Sequence, residues 1–422
     1  MFSKLKQKLY FPIAWYFRFF AVIKLNRWKP KIIVITGSSG KTTLLHLVES
    51  QLGDIARYSH HANSSYGIPF DILGFKRQDL TINEWIGLFL LAPFKFFNTT
   101  PKEKIYVVET DCDRTGEGKF LAEFLKPDIV IWTNVSRTHA AGFDRSVSDQ
   151  STVEETIAFE FGHFIRNAKE MVIFNIDNEL ISNQLSENSQ YRIISVSKKD
   201  LKNYQVSIHG TEYQIENKIY KFPYLLPENV YYSLASCLDL CKYLKIEIDD
   251  KFSRFIVPPG RNSIFKGIKN TTIIDSSYNA NYDSMEQILT MVDQIRSNDK
   301  WLIISDMLEQ GQGEKDQHEK VARLLLDINA NRIIVMGPRS MKYIYPILKN
   351  HLSKNVILEQ FIQPRQVLDY LRKEISGSEM LFFKGSRFLE GVIEHLLADK
   401  NDINKLCRRE KIWKIRRKKW DL

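Results

Sequence analysis

Apolar residues in this chain gather into short unbroken runs separated by amphipathic stretches. KIIVIT (Lys31–Thr36), KIYVVET (Lys104–Thr110), DIVIWTNV (Asp128–Val135) and MVIFNI (Met171–Ile176) are too short for helices and too uniformly apolar for one-sided strands. Helical stretches lie between them, which predicts an α/β domain built on a largely parallel, covered sheet. From Ile194 to Phe222 polar and apolar residues alternate, as in a small antiparallel meander, and NVYYSLASCLDLCKYL (Asn229–Leu244) reads as a helix. Pro258, Pro259 and Gly260 in VPPGRNS (Val257–Ser263) interrupt regular structure and mark a linker or hinge. A second α/β block follows, with strands at TTIIDSS, WLIISDM, NRIIVMG and EMLFFKG. The expected division is 1–30, 31–256, 257–400 and 401–422: an amphipathic basic segment, a central domain, a C-terminal domain and a basic tail. No internal repeat is present.

The first segment has its own pattern. LYFPIAWYFRFFAVIKL (Leu9–Leu25) is apolar and aromatic, interrupted by Pro12 and Arg18, and short for a spanning helix of about 20 residues. It lacks a small-residue cleavage site. An interfacial helix is the expectation, with Trp15, Tyr16, Phe17, Phe19 and Phe20 at headgroup level and Lys4, Lys6, Lys8, Arg18 and Lys24 near anionic lipid. The competing reading is a helix packed on the protein's own core. EWIGLFLLAPFKFF (Glu84–Phe97) is equally oily and reads either as part of the same surface or as a buried helix.

Charge sharpens this picture. The formal charge is +10, yet residues 1–31 hold eight Lys/Arg and no acid, and residues 405–422 hold nine against two acids. The body between is mildly acidic. Basic ends on an acidic body point to a surface tether and away from a nucleic-acid enzyme. The four cysteines, Cys112, Cys237, Cys241 and Cys407, show no zinc spacing and suit a reducing cytoplasm. The expected location is cytoplasmic and peripheral on the inner face of the membrane.

The clearest chemistry lies in VITGSSGKTTLLHL (Val34–Leu47), a strand, a glycine turn and a helix start. A helix N-terminus offers unpaired N–H groups and the positive end of its dipole. Gly37 and Gly40, with Ser38 and Ser39 between them, let the backbone wrap a phosphate. Lys41 neutralises β/γ-phosphate charge, and the Thr42 hydroxyl, followed by Thr43, suits Mg²⁺. The central domain therefore reads as a P-loop ATPase using ATP and Mg²⁺, with a shortened G-x-x-G-K-T spacing.

With this turn the chain resembles the Mur ligase family. HANSSYGIPFDILG, VVETDCDRTGEGKFLAEFLKPDIVIWTNVSRTH, FNIDNE, ENVYYSLAS, PPGRNSIFKG, IIDSSYNANYDSM, SDMLEQGQGEKDQHEKVA and FFKGSR match family segments in family order, from about residue 31 to 395. The last three are closest to the MurF-like branch, which adds D-Ala-D-Ala to a muramyl tripeptide. The resemblance implies a central ATPase and a Rossmann-like C-terminal domain. It also implies that the family's N-terminal UDP-binding domain is missing, since the turn arrives at Gly37. The implied activity joins a carboxylate to an amine through an acyl phosphate.

The same resemblance assigns roles. Glu109 and His139 become metal ligands beside Thr42, Asn229 the adenine-side residue, and Arg261 and Asp275 nucleotide contacts from the C-terminal domain. Asn279, Asn281, Lys384, Ser386 and Arg387 fall near the amine substrate. The implied catalytic set is Lys41, Glu109, His139 and Arg261. Three positions depart from the pattern. Phe161 stands where relatives carry a carbamylated, metal-binding lysine, leaving Glu160 or His163 to compensate. Glu228 replaces a His and Tyr282 a Pro. These departures keep open a non-catalytic nucleotide-binding subunit that works with a partner protein. A P-loop nucleic-acid ATPase is the third class, with only the basic tail in its favour.

Overall fold

A computed structural model describes residues 2–60, 62–76, 81–144, 146–147, 151–185, 190–420 and 422, the side chains of residues 2–7 excepted. The chain forms two compact units: residues 1–198 with 232–255, and residues 199–231 with 256–422.

The first unit is built on six parallel strands: β1 (Lys31–Thr36), β2 (Ala56–Tyr58), β3 (Ile105–Glu109), β4 (Ile129–Trp132), β5 (Met171–Asn175) and β6 (Arg192–Val196), in the order β2-β3-β1-β4-β5-β6. Ile33, Val34 and Ile35 of β1 are wholly buried. The register sets Ile35 beside Glu109 and Thr36 beside Trp132. The C-terminal ends of β1, β3 and β4 are therefore level, where ligands bind in such sheets. Two strands differ from expectation. β2 is a three-residue edge too brief to leave an apolar run. Arg192–Val196 overlaps the expected meander but pairs in parallel with β5 and closes the sheet.

Helices α1 (Phe2–Trp28), α2 (Lys41–Leu52), α3 (Gly67–Leu73), α4 (Ile82–Lys95), α5 (Glu117–Leu125) and α6 (Val153–Arg166) belong to this unit. On α1, Ala14, Phe17, Arg18, Ala21, Lys24 and Leu25 are buried, a stripe at helical spacing. Arg18 donates to the Phe120 carbonyl at 2.8 Å and stacks on Trp15, its centre 4.1 Å from the ring. The Tyr16 hydroxyl donates to Phe89 O, and Trp28 Nε1 to Glu103 O. The lipid-facing assignment is thereby corrected. Phe17, Arg18 and Lys24 belong to the protein interior, because α3, α4 and α5 supply the apolar surface that a bilayer was expected to give. Tyr16 and Phe20 are half-buried, and only Trp15, Phe19 and the exposed Lys8 point outward. Lys4 and Lys6 lie outside the described side chains.

The second unit holds the meander, reduced to β7 (Leu201–Ser207), β8 (Gly210–Ile215) and β9 (Lys218–Phe222), and a six-stranded sheet. That sheet comprises β10 (Ser263–Lys266), β11 (Thr272–Ser276), β12 (Lys300–Ser305), β13 (Arg332–Met336), β14 (Ile357–Phe361) and β15 (Met380–Lys384), in the order β10-β11-β15-β12-β13-β14. The two edges, antiparallel β10 and the half-polar β14, were not expected. The four interior strands coincide with the four apolar runs.

The basic tail also differs from expectation. Leu406, Cys407 and Arg417 are buried. Arg408 and Arg417 flank the wholly buried Glu390 at 3.3 and 3.6 Å, and Arg409 pairs with Glu394. Trp413 and Trp420 approach the Phe388 ring. These arginines neutralise acids of the unit itself, so they are not a free tether.

Candidate active site

The glycine turn is shaped by the chain that follows β4. Gly37 has φ +130°, and a Cβ there would lie 2.3 Å from Thr133 Oγ1. Gly40, at φ +80°, is the left-handed cap of α2. Both positions exclude side chains on backbone grounds. Ser38 N donates to Asn134 O, Ser39 N to Asn134 Oδ1, and Ser38 Oγ to Ser136 O. Thr133 Oγ1 donates to Ser39 O at 2.7 Å. Ser38 and Ser39 are thus anchored within the protein, and Thr43 lies in the first turn of α2.

Two side chains from the start of α2 reach the carboxylates that follow β3. Lys41 Nζ is 2.9 Å from Asp111 Oδ2. Burial alone would lower its ammonium, but Asp111, Glu109 and Asp113 outweigh burial and hold it above the ordinary lysine range. Thr42 Oγ1 donates to Glu109 Oε1 at 3.2 Å, and Glu109 N accepts support from Ser59 Oγ by donating to it at 2.9 Å. His139, at φ +51°, places Nε2 3.5 Å from Asp113 and 4.0 Å from Asp111. Ligand atoms of Asp111, Asp113 and His139 lie within 4.8 Å of one another. Burial pushes Asp113 up to about 6, opposed by His139 and reinforced by Asp111.

Asp111 and Asp113 were not singled out from the sequence. Their signal was the E-x-D-x-D spacing that runs off the end of β3. Glu117 was also missed as an individual residue. Wholly buried, it accepts Ser65 N, Ser65 Oγ and the Tyr10 hydroxyl through Oε1, and Asp113 N through Oε2. It therefore holds the acidic segment in place.

The position at which the resemblance implies a lysine is closed here. Phe161 is wholly buried, its ring 6.1 Å from that of Trp132. Glu160 does not compensate, because its carboxylate accepts Gly116 N and Gly118 N at 2.7 and 2.9 Å at the start of α5. His163 packs on the Phe159 ring, and burial lowers its imidazole to about 4. The groups that converge are Asp111, Asp113 and His139, a donor set suited to a hard divalent cation, while Glu109 lies outside that cluster and is hydrogen-bonded to Thr42.

In the second unit, β10, β11 and β15 bring another group together. Asp275 pairs in register with Ser263, two residues beyond Arg261, and Ser276 pairs with Lys384. The Arg261 guanidinium lies 4.2 Å from the Tyr278 ring centre. Lys384 Nζ donates to Asn279 O at 2.8 Å; burial and then Arg261 lower its ammonium to about 7, against the pull of Asp275. Burial raises Asp275 to about 6, and its Oδ2 has no partner among the described residues. Ser386 Oγ and Asn229 Oδ1 are likewise buried without partners. The carbonyls before Asn229 are braced by Tyr213, whose hydroxyl donates to Pro227 O at 2.7 Å. Asn281 instead caps a helix, accepting Ser284 N. Arg387 is held by the wholly buried Asp306, at 2.7 Å, a residue also missed from sequence.

Two family profiles match the chain: the Mur ligase middle domain over residues 35–237, and the Mur ligase glutamate ligase domain over residues 260–387. The chain belongs to the Mur ligase family. Mur ligases are ATP-dependent amide ligases. This chain is 26% identical to the UDP-N-acetylmuramoyl-tripeptide–D-alanyl-D-alanine ligase of Rickettsia prowazekii, covering 87% of this chain and 78% of that one. It is 24% identical to the Bacillus subtilis enzyme of the same name, covering 87% and 75%. MurF of Acinetobacter baumannii has the same fold, with TM-score 0.71, 17% identity, and coverage of 90% and 79%. MurF of Thermotoga maritima, solved with ADP, gives TM-score 0.69, 20% identity, and coverage of 96% and 84%.

Proposed function

We propose that this Mur ligase activates a peptide carboxylate of a cell-wall precursor with ATP and Mg²⁺ and joins it to an amine, D-alanyl-D-alanine in the first instance. The observation that supports this most is the pairing of Lys41 with Asp111 and of Thr42 with Glu109 beside a turn that only glycines can make. The relatives' names supply the substrate class.

Lys41 sits against the phosphates and holds their charge as the donor carboxylate oxygen takes the γ-phosphoryl group and ADP is released. Thr42, Glu109 and His139, with Asp111 and Asp113, are the residues that would hold Mg²⁺, which supplies charge neutralisation on the transferring group. The amine nitrogen then attacks the acyl carbon. The carbon–oxygen bond to phosphate breaks, inorganic phosphate leaves, and the nitrogen loses one proton. Asn229 is assigned to adenine and Arg261 and Asp275 to the nucleotide. Asn279, Lys384 and Ser386 are assigned to the amine; Asn281 and Arg387 contribute by holding their loops. The work belongs in the cytoplasm, where ATP is available.

Phosphate release is measured with ATP, Mg²⁺, UDP-N-acetylmuramoyl-tripeptide and D-alanyl-D-alanine, each omitted in turn. Release that needs all four and is lost in Lys41→Ala is the expected result. Nucleotide binding without release under any combination of amino acids, peptides and carboxylates would instead support the non-catalytic subunit.

A further inference from the structure

Helix α4 is apolar on its inner and outer sides. Leu88 and Ala92 are buried, while Trp85 and Phe89 meet α1 and α3 through Phe17, Tyr16 and Phe70. The opposite side carries Ile82, Ile86, Leu90, Leu91 and Phe94, continued by Phe97, each at least half exposed. Their spacing of three to four residues makes one continuous helical face. Ring contacts extend it onto α1, from Phe97 through Phe96 and Phe20 to the exposed Phe19. An exposed surface of this kind on a folded unit marks an interaction site.

Charge at the end of the face identifies its occupant. Arg27 donates to the Phe96 carbonyl, Lys95 closes α4, and Lys24 lies close enough for both to act on its ammonium. None of the three has an ion-pair partner among the described residues, and α1 contains no acid. In a parallel two-fold pairing of α4 these cations would meet their own copies, because the one acid of the helix, Glu84, lies in its first turn, at the opposite end from Lys95. Lipid phosphates supply the missing charge, and acyl chains receive the aromatic and aliphatic side chains. At 14 residues α4 is about 21 Å long, too short to cross a bilayer but suited to lying in its surface. Among the described residues no helix is long and apolar enough to cross.

We infer that the outer face of α4, continued by Phe19 and flanked by Arg27 and Lys95, docks this ligase on an anionic membrane surface. None of its residues belongs to the glycine turn or to the Asp111, Asp113 and His139 cluster, so substitutions on it leave those groups unchanged.

The full chain is sedimented with vesicles of phosphatidylcholine and phosphatidylglycerol and with phosphatidylcholine alone. Binding to the anionic vesicles, weakened but not abolished by salt, is expected. Leu90→Glu/Phe94→Glu should lower the partition coefficient by at least about tenfold, and Lys95→Glu should lower anionic binding alone. Both sites are exposed, so the melting temperature should be unchanged. Equal sedimentation of wild type and Leu90→Glu/Phe94→Glu, or none with either, overturns the inference. So does a concentration-dependent dimer that the double substitution abolishes without any vesicle binding, which would assign the face to a second copy.

Discussion

Lys41 reaches across from the start of α2 to Asp111, two residues beyond the end of β3, and both partners are almost fully buried. The residue assigned to phosphate is therefore already ion-paired within the protein. Removing either partner leaves a charge in a poorly hydrated place, at a cost of about 3 kcal/mol. Lys41→Met and Asp111→Ala should each lower the denaturation midpoint, and the double substitution should cost clearly less than their sum. Phosphate release should fall by about a thousandfold in every variant lacking Lys41. Strict additivity in denaturant unfolding would mean that the pair does not act as a unit.

Placing the lysine that the resemblance implies at position 161 should fail. Phe161 occupies apolar core against Trp132, where an ammonium is costly to bury. Phe161→Lys should destabilise the first unit by about 3 kcal/mol or more without raising metal affinity. Phe161→Leu should cost about 1 kcal/mol and retain most activity. Thermal unfolding with Mg²⁺ titration distinguishes these outcomes. A Phe161→Lys protein that folds normally and binds Mg²⁺ more tightly would show that the site had kept room for the ligand.

Asp275 sets a pH dependence. Its folded value of about 6 exceeds the ordinary 3.8, so the folded state holds the proton more tightly. Stability from this group is present at low pH and declines as pH rises from about 4 through 6. Asp275→Asn should remove that decline, making the protein more stable than wild type at pH 8 by up to about 3 kcal/mol and little different at pH 4. The same variant should lose ligase activity, because the carboxylate is assigned to the nucleotide. A stability difference independent of pH would refute this account.

The C-terminal arginines should matter to folding. Glu390 is wholly buried between Arg408 and Arg417. Arg408→Ala/Arg417→Ala should destabilise the second unit by about 3–5 kcal/mol, while Glu390→Gln in that background should recover part of the loss. Melting curves test this. Unchanged melting would return these side chains to the role of a solvated tail.

The apolar runs located every interior strand of the two six-stranded sheets, because a strand covered on both faces leaves no polar trace within it. The edge strands left weaker traces. β2 has three residues, β6 has exposed Ile193, and β14 mixes Glu359 and Gln360 with its apolar positions. The phosphate turn was legible because Gly37 and Gly40 do what other residues cannot. Asp111 and Asp113 were harder to find, since their meaning depends on the end of β3 lying beside α2, which spacing alone does not reveal. The aromatic leader was read as lipid-facing because an apolar stripe looks the same whether protein or bilayer covers it. Only the position of α3, α4 and α5 decides between them.

Glu117 receives the hydroxyl of Tyr10 on α1 through one oxygen and the amide of Asp113 through the other. The leading helix and the acidic segment are thus two ends of one short lever with a carboxylate as its fulcrum. Any force that shifts α1 is passed to the backbone of Asp113 within two hydrogen bonds. By thermodynamic reciprocity, whatever factor a contact on α1 applies to cation affinity at Asp113 is the factor the cation applies to that contact.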